Sequence, residues 1–352
     1  MKALSDYSLD EFQRQIAAWG FKASHAEALL RNYHANEGVI AWSGLKLPRG
    51  LPDRLHAECV LLGSRLVARQ VADDGTIKLL LKLADGRTVE SVVMPAYRQD
   101  RVAGCLSSQV GCALACDFCA TAQSGFERNL SAGEMVEQFL HLRREARALG
   151  RRLQTVVFMG MGEPLLNLEN VLEAIRRIAD AGLGALGRRQ ITVSTVGIVP
   201  GIDALAAAEL NVNLAVSLHA PDDATRAQLV PTGRQFGVEE ILAAADRFQA
   251  KNNGRPVSIQ YCLLKGVNDA PEQARQLASR LAGRRMHVNL LHYNPTGVSL
   301  TGRTYEPSSP EAEDALMDEL KARRVVAHFR RSRGREIDAA CGQLRRRSIR
   351  SI

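Results

Sequence analysis

The stretch SSQVGCALACDFCATAQSGFERNLS, residues 107–131, carries three thiols within eight positions, at Cys112, Cys116 and Cys119. It overlaps the end of a short apolar segment, GCLSS at 104–108, and leads into a stretch with helical periodicity. The three cysteines therefore lie in the loop between a strand and a helix. Because one loop carries all of them, it can wrap a single inorganic group.

Beyond this loop, short apolar strands alternate with amphipathic helices, which is typical of parallel βαβ units. Ser131 and Glu134 predict a capping box at the start of the first helix. Loops that follow the strands of an α/β barrel build its active site, so we expect the chemistry at that end of the strands. The candidate strands are GCLSS, TVVFMG, QITVSTV, VNLAVSL, VSIQYCLL and HVNLLHY, with VVAHFRR as a final strand-like segment.

The part of the chain before the cysteines has a different pattern. Its first sixty or so residues predict short helices, the first of them capped by Ser8 and Glu11. The runs IKLLLKL and TVESVVMP then alternate with Asp-Gly turns and predict a small antiparallel sheet. We therefore divide the chain into a helical accessory domain (1–62), a β-hairpin extension (63–97), a core barrel (98–335) and a C-terminal segment (336–352).

Composition indicates a protein without a membrane segment and with an anionic partner. No apolar run is long enough to cross a bilayer, and MKALSDYSLDEFQRQ lacks the apolar centre of a secretory signal, so we expect a cytoplasmic location. The net charge is +8, and its excess lies near the C-terminus. Nucleic acid would explain this charge, and so would a solvated basic face without a ligand.

Cysteine usage favours metal chemistry over a disulfide scaffold, because the seven cysteines are odd in number and three of them cluster. A structural zinc site needs four ligands, and no second pair lies near Cys112, Cys116 and Cys119. A [4Fe-4S] cluster with only three protein thiolates keeps one iron open for another ligand. The CxxxCxxC spacing is the one that radical S-adenosylmethionine enzymes use, so we predict one such cluster.

Further motifs accompany the cysteines: FMGMGEPLLN, ITVSTVGIVPGI, NLAVSLHAPDD, LLKGVND and EIDAACGQL. Together with the cysteine stretch they resemble the RlmN/Cfr family of RNA adenine methyltransferases over about residues 88 to 344. The resemblance implies an α/β fold, namely a partial (β/α)6 radical S-adenosylmethionine barrel with a small N-terminal helical module and a short β extension. It also implies that the open iron binds the amino and carboxylate groups of S-adenosylmethionine.

The resemblance also implies cofactor contacts along the barrel. Several of these residues have a plain alternative: Gly162 as a turn glycine, Ser194 as a strand serine and His219 as a buried core histidine. The positions that match the family's cofactor-binding residues are Gly162, Glu163, Ser194, Ser217, Leu218, His219 and Asn294.

Two more cysteines and a carboxylate match the family's catalytic positions. The resemblance implies that Cys341 accepts a methyl group from one S-adenosylmethionine, while a second molecule supplies a 5′-deoxyadenosyl radical. Cys105 then attacks the Cys341 sulfur and releases the product, leaving a disulfide bond. Glu90 matches the proposed proton acceptor, with an exposed strand carboxylate as its plain alternative. Cys59 and Cys262 match no family position.

The implied substrate is an adenosine of 23S rRNA, methylated at C2, and in some members also a tRNA adenosine. Methylation at C8, as in Cfr-like members, is the alternative. We further expect flavodoxin or ferredoxin as electron donor and a monomeric enzyme. A basic strip around Cys341 would hold the RNA, and its members are Arg323, Arg324, Arg330, Arg331, Arg333, Arg335, Arg345, Arg346, Arg347 and Arg350.

Two alternatives from other classes stay open. A radical enzyme acting on a non-RNA substrate would keep the cluster cysteines without needing Cys341. A non-catalytic RNA-binding module would hold zinc in place of iron and sulfide.

Overall fold

The computed structural model describes residues 1–231 and 235–344. Its strands are β1 (Lys2–Ala3), β2 (Cys59–Val60), β3 (Arg65–Val71), β4 (Ile77–Lys82), β5 (Thr88–Pro95), β6 (Arg101–Cys105), β7 (Gln109–Gly111), β8 (Phe126–Asn129), β9 (Arg152–Phe158), β10 (Ile191–Thr195), β11 (Asn213–Ser217), β12 (Val257–Leu263), β13 (Met286–His292) and β14 (Val326–Arg330).

The helices follow the strands in regular alternation through the second part of the chain. They are α1 (Leu9–Ala18), α2 (His25–Ala35), α3 (Leu51–Glu58), α4 (Ala120–Gln123), α5 (Ala132–Ala148), α6 (Leu168–Ala179), α7 (Val199–Ala207), α8 (Asp223–Leu229), α9 (Val238–Lys251), α10 (Pro271–Leu281) and α11 (Pro310–Ala322). No described helix is both long and apolar enough to span a bilayer.

One sheet organises the chain, with ten strands in the order β14-β13-β12-β11-β10-β9-β6-β5-β4-β3. Strand β6 and strands β9 to β14 pair in parallel. Each of the six parallel strands β6 and β9 to β13 leads to a helix before the next parallel strand, which makes six strand–helix units, and β14 adds a further parallel strand. The α/β class and the partial barrel expected from the sequence are confirmed.

The two faces of the sheet differ because side chains alternate along each strand. On β6, Val102 is fully buried, and a Cβ added to Gly104 would come within 2.8 Å of the Leu142 side chain in α5. This face therefore packs against the helices. Ala103 and Cys105 point the other way, into the hollow of the barrel.

The antiparallel strands near the N-terminus continue the barrel sheet. β5 pairs with β6, with Val92 opposite Cys105, so the extension is joined to the core by backbone hydrogen bonds. It also contains a third strand, β3, which the sequence pattern did not reveal because this edge strand is mostly exposed on both faces. The proposed division of the chain into four segments stays a prediction.

Capping boxes start two helices as expected, with Ser8 and Glu11 at α1 and Ser131 and Glu134 at α5. The start of α5 also receives the N-terminal segment, because Asp6 accepts a 2.6 Å hydrogen bond from the Ser131 hydroxyl. The helical module is thus anchored to the helix that directly follows the cysteine loop.

Candidate active site

A cavity of about 410 Å³ opens at the carboxyl ends of the parallel strands and extends into the hollow of the barrel. It brings together residues that are far apart in the sequence, from β6 to the C-terminal segment. Leu218 and Glu90 are the only predicted site residues that do not line it. Those that do are Cys105, Cys112, Cys116, Cys119, Gly162, Glu163, Ser194, Ser217, His219, Asn294 and Cys341.

The three clustered cysteines lie in the β6–α5 connection, on a loop held at its base by the β7–β8 hairpin. The Cys112 amide donates to the Gly125 carbonyl at 2.9 Å, and the Cys119 amide donates to the Cys116 carbonyl at 3.1 Å. Gly111 has φ of 78°, and a Cβ there would overlap the Gly125 carbonyl oxygen. Only glycine fits at this position, so the loop turns sharply just before Cys112.

Asp117, inside the same loop, joins it to the long β13–α11 connection. Its carboxylate accepts hydrogen bonds from the Thr301 amide at 2.9 Å, the Thr301 hydroxyl at 2.6 Å and the Tyr305 hydroxyl at 2.6 Å. Burial raises the pKa of Asp117, but these hydrogen bonds outweigh burial and leave the pKa below its usual value. The carboxylate is therefore a structural tie that holds the cysteine loop.

The buried thiols must lose their protons before they can bind a cluster. Burial raises the pKa of Cys112 to about 12 and that of Cys116 well above its usual value, so metal binding has to displace these protons. Among the described residues no three His, Cys, Asp or Glu side chains surround a single-ion position. In a cubane each thiolate binds a different iron, so its ligands stand farther apart than around one zinc ion.

Glu163 presents a buried carboxylate to the cavity. Its Oε1 and Oε2 accept backbone hydrogen bonds from Leu165 and Val196, both at 3.0 Å. Burial raises the pKa of Glu163 to about 7 in spite of these bonds. Such a carboxylate gains most when a cationic group such as an ammonium binds beside it.

Gly162 is required by close packing. Its φ is 99°, and an added Cβ would lie 2.5 Å from the Gln109 Cβ. The Gln109 side chain in turn accepts a 2.9 Å hydrogen bond from the Glu163 amide. The turn after β9 is therefore fixed to the β7–β8 hairpin through the Glu163 backbone amide.

His219 follows β11 with a positive φ of 59° and lines the cavity beside Phe118, with their rings 4.9 Å apart. Its Nδ1 accepts a 3.0 Å hydrogen bond from the Cys262 amide, so the neutral ring carries its hydrogen on Nε2. Burial lowers the pKa of His219 to about 3. Leu218 is fully buried, and its amide donates to the Gln260 carbonyl at 3.0 Å.

Two buried polar atoms in the cavity lack hydrogen-bond partners among the described residues: Asn294 Oδ1 and Gln260 Nε2. An unpaired buried polar group is costly, so both atoms call for a polar ligand. Gln260 was missed in the sequence. Its signal is the alternation in VSIQYCL, which places Ser258, Gln260 and Cys262 on the inward face of β12.

The segment that carries Cys341 crosses the cavity and is tied to the cysteine loop. Gly342 accepts a 2.7 Å hydrogen bond from the Ala120 amide, and the Leu344 carbonyl accepts one at 2.8 Å from the Thr121 hydroxyl. Cys341 is exposed, which leaves its sulfur accessible from the cavity.

Cys105 lies on the wall of the same cavity but is buried. Burial raises its pKa to about 12, and negative charge on Cys341 would raise it further, which places the two sulfurs within electrostatic reach. All seven cysteines are free in the described chain, so a Cys105–Cys341 disulfide stays a prediction for a step of the reaction. Cys262, which matches no family position, also lines the cavity.

Comparison with known proteins agrees with this arrangement. The family model "Radical SAM superfamily" matches residues 106–278. The chain is 67% identical to "Probable dual-specificity RNA methyltransferase RlmN 1" of Opitutus terrae, covering 97% of this chain and 96% of that protein. It is 40% identical to "Dual-specificity RNA methyltransferase RlmN" of Syntrophobacter fumaroxidans, covering 97% of both.

The chain belongs to the RlmN family of radical SAM enzymes. A solved structure, "Crystal Structure of a radical SAM methyltransferase from Sphaerobacter thermophilus", superposes with a TM-score of 0.92 at 40% identity and covers 99% of this chain and 100% of that one. Membership of the superfamily implies a [4Fe-4S] cluster and S-adenosylmethionine. The three cavity cysteines and the unpaired polar atoms of Asn294 and Gln260 fit these two groups.

In this RlmN-family protein Glu90 lies outside the cavity and is buried, so its plain alternative, an exposed strand carboxylate, is wrong. The Lys78 ammonium lies 3.2 Å from Glu90 Oε1 and donates to the Asp338 carbonyl at 3.4 Å. Glu90 is buried because the segment that carries Cys341 covers this face of β4 and β5. Lys78 was missed in the sequence, where nothing distinguishes it from a surface lysine.

The predicted basic strip is divided by the fold. Arg330, Arg331 and Arg333 line the cavity. Arg323 and Arg324 instead precede β14 and so lie at the opposite end of the sheet, which means that they do not flank Cys341 as expected. The strip members that lie outside the described residues are Arg345, Arg346, Arg347 and Arg350.

Proposed function

We propose that this RlmN-family protein methylates C2 of an adenosine in 23S rRNA and of an adenosine in tRNA, through a methylated Cys341. The observation that carries the proposal is that Cys105 and Cys341 share one cavity with the three clustered cysteines. A radical SAM enzyme without a thiol intermediate would need the cluster alone. The relatives named as dual-specificity RNA methyltransferases support RNA as the substrate.

In this proposal Cys112, Cys116 and Cys119 would hold the cluster, which would supply the electron for cleavage of S-adenosylmethionine. Glu163 would accept hydrogen bonds from the cofactor's ammonium, and the polar atoms of the strand ends would hold its remaining groups. Each turnover uses two cofactor molecules, one as methyl donor and one as radical source. The cofactor-binding residues are Gly162, Glu163, Ser194, Ser217, Leu218, His219 and Asn294.

Cys341 is needed because an adenine ring carbon is electron-poor, so it does not attack an electrophilic methyl group. The Cys341 sulfur would first take the methyl and lose its thiol proton, and the 5′-deoxyadenosyl radical would then take one hydrogen atom from that methyl. The resulting carbon radical would add to the ring, and the adduct would return its unpaired electron to the oxidised cluster. Glu90 does not line the cavity, so it would take the proton from the substituted carbon through a bridging water. The Cys105 thiolate then attacks the Cys341 sulfur and forms a disulfide, the carbon–sulfur bond breaks with its electron pair on the carbon, and that carbon takes a proton as the methylated base leaves.

Lys78 is expected to hold Glu90 in its place during proton removal. We expect Lys78→Met to slow product release, so that RNA accumulates covalently bound to Cys341, because a buried ion pair that loses one partner leaves the other charge uncompensated. Denaturing gels with labelled RNA measure the adduct. Lys78→Arg keeps the charge and should restore release. If Lys78→Met instead lowers methylation of Cys341 as much as methylation of RNA, its role is purely structural.

Mass spectrometry of rRNA and tRNA from cells with and without the gene tests the proposed function. We expect loss of 2-methyladenosine from 23S rRNA and from tRNA when the gene is deleted. Loss of 8-methyladenosine would assign the Cfr-like alternative, and unchanged RNA would contradict an RNA substrate. The proposal also includes a monomeric, cytoplasmic enzyme that receives electrons from flavodoxin or ferredoxin.

A further inference from the structure

The amino-terminal rim of the barrel is strongly basic. We define this rim as the segments that lead into β9 to β14, namely residues 149–152, 180–190, 208–212, 252–256, 282–285 and 323–325. They contain nine arginines and only two acidic residues, Asp180 and Glu209. In a parallel sheet the starts of all strands lie at one edge, so the fold gathers these separate arginines onto a single surface.

Hydrogen bonds show that neighbouring rim segments are continuous. The Asn213 side chain donates to the Arg189 carbonyl at 2.9 Å and accepts from the Arg255 guanidinium at 3.3 Å. Gln249 donates to the carbonyls of both Arg255 and Arg285. The arginines from β10 to β13 therefore form one band along the edge of the sheet.

Most of the band has no internal counter-charge. Arg284 is the exception, since it pairs with Glu239 and Asp246. In the described part of the chain no carboxylate forms an ion pair with the other eight, which are Arg151, Arg152, Arg188, Arg189, Arg255, Arg285, Arg323 and Arg324. Arg151 and Arg255 are half-buried, and the remaining six are exposed.

The helix dipole explains only part of this pattern. Cations at helix C-termini are stabilising, and Arg323, directly after α11, fits that role. Arg188 and Arg189 come eight or more residues after α6 ends, and Arg152 lies inside β9, beyond the reach of a helix terminus. A set of unpaired, planar guanidinium groups along a ridge matches the phosphate backbone of a nucleic acid.

We infer that the amino-terminal rim is a second RNA-binding surface, which holds the phosphate backbone of a large folded RNA on the side away from the cavity. The strands between the two ends are five to seven residues long, so the rim lies about 20 Å from the cavity. A folded RNA can span that distance while its target base enters the active site. The inference rests on the proposed function for the identity of the partner.

The experiment tests a rim variant with four substitutions, Arg188→Gln/Arg189→Gln/Arg285→Gln/Arg323→Gln. The matched control loses the same charge in the helical module and on β3, through Arg14→Gln/Lys46→Gln/Arg49→Gln/Arg65→Gln. Binding of in vitro transcribed 23S rRNA is measured over a salt series. We expect the rim variant to bind about tenfold or more weakly, with a salt slope shallower by about 3, because each phosphate contact contributes about 0.7–0.9. The rim variant should bind a short adenosine-containing hairpin with the affinity of the wild type. It should also cleave S-adenosylmethionine at the wild-type rate.

The rim inference is overturned if the rim variant keeps the wild-type affinity and slope, or loses no more than the control. Rim-dependent binding of phosphatidylglycerol vesicles with unchanged RNA affinity would assign the surface to a membrane instead. Failure of the proposed function looks different: the wild type would then bind RNA through the rim without methylating it.

Discussion

Cys341→Ala is expected to abolish methylation of RNA, lowering the rate by more than about a thousandfold, the order seen when a covalent catalytic residue is removed. The substitution removes the only sulfur that is exposed to the cavity on the C-terminal segment. The hydrogen bonds between the cysteine loop and this segment do not involve the Cys341 side chain. The Ala120 amide and the Thr121 hydroxyl donate them to backbone carbonyls of the segment. Iron content and thermal stability should therefore match the wild type.

Cys262→Ala is the matched control, because this second cysteine lines the same cavity on β12. It should retain methylation, while Cys105→Ala should trap RNA covalently on Cys341. Methylation assays with tritiated S-adenosylmethionine and adduct gels separate the three variants. Full activity of Cys341→Ala would contradict the thiol intermediate and favour a radical enzyme of another type.

Cys116→Ala is expected to lose iron and sulfide together with all activity, including formation of 5′-deoxyadenosine. Cys116 is the most deeply buried of the three clustered thiols, and its replacement leaves only Cys112 and Cys119 of the predicted ligand set. Two remaining thiolates cannot hold a cubane stably. Anaerobic reconstitution followed by iron and sulfide analysis measures the effect.

Cys59→Ala serves as control for Cys116→Ala, since Cys59 is a buried cysteine of the N-terminal module, far in sequence from the cluster. It should bind iron as the wild type does. Retention of a full cluster by Cys116→Ala would remove this cysteine from the ligand set. Zinc in place of iron in the wild type would favour the non-catalytic alternative.

The sequence predicted those parts of the fold in which the local pattern is strong. The apolar cores of β9 to β13 were found within a few residues, because buried parallel strands form continuous apolar runs. β6 was expected at 104–108 but lies at Arg101–Cys105. Its first residues place Arg101 and Ala103 on the hollow side and apolar positions on the other side, so they do not form a continuous apolar run. The edge strand β3 has no buried face and so gave no signal.

The site was predictable where motifs carry it and unpredictable where distant segments meet. The cavity gathers Cys105, Glu163 and Cys341 from three separate motifs. The contact of Lys78 with Asp338 joins residues that are 260 positions apart, and no local sequence pattern predicts it. The same holds for the unpaired amide of Gln260, because an unsatisfied group is visible only when its whole surroundings are known.

The two hydrogen bonds from Ala120 and Thr121 to the C-terminal segment join the cysteine loop and the segment that carries Cys341 into one structural unit. By thermodynamic linkage, whatever orders one of them orders the other. If Cys341 carries the methyl group as proposed, oxygen damage to the cluster would therefore also loosen the segment that presents this group, and a chain without its metal would no longer position it against RNA.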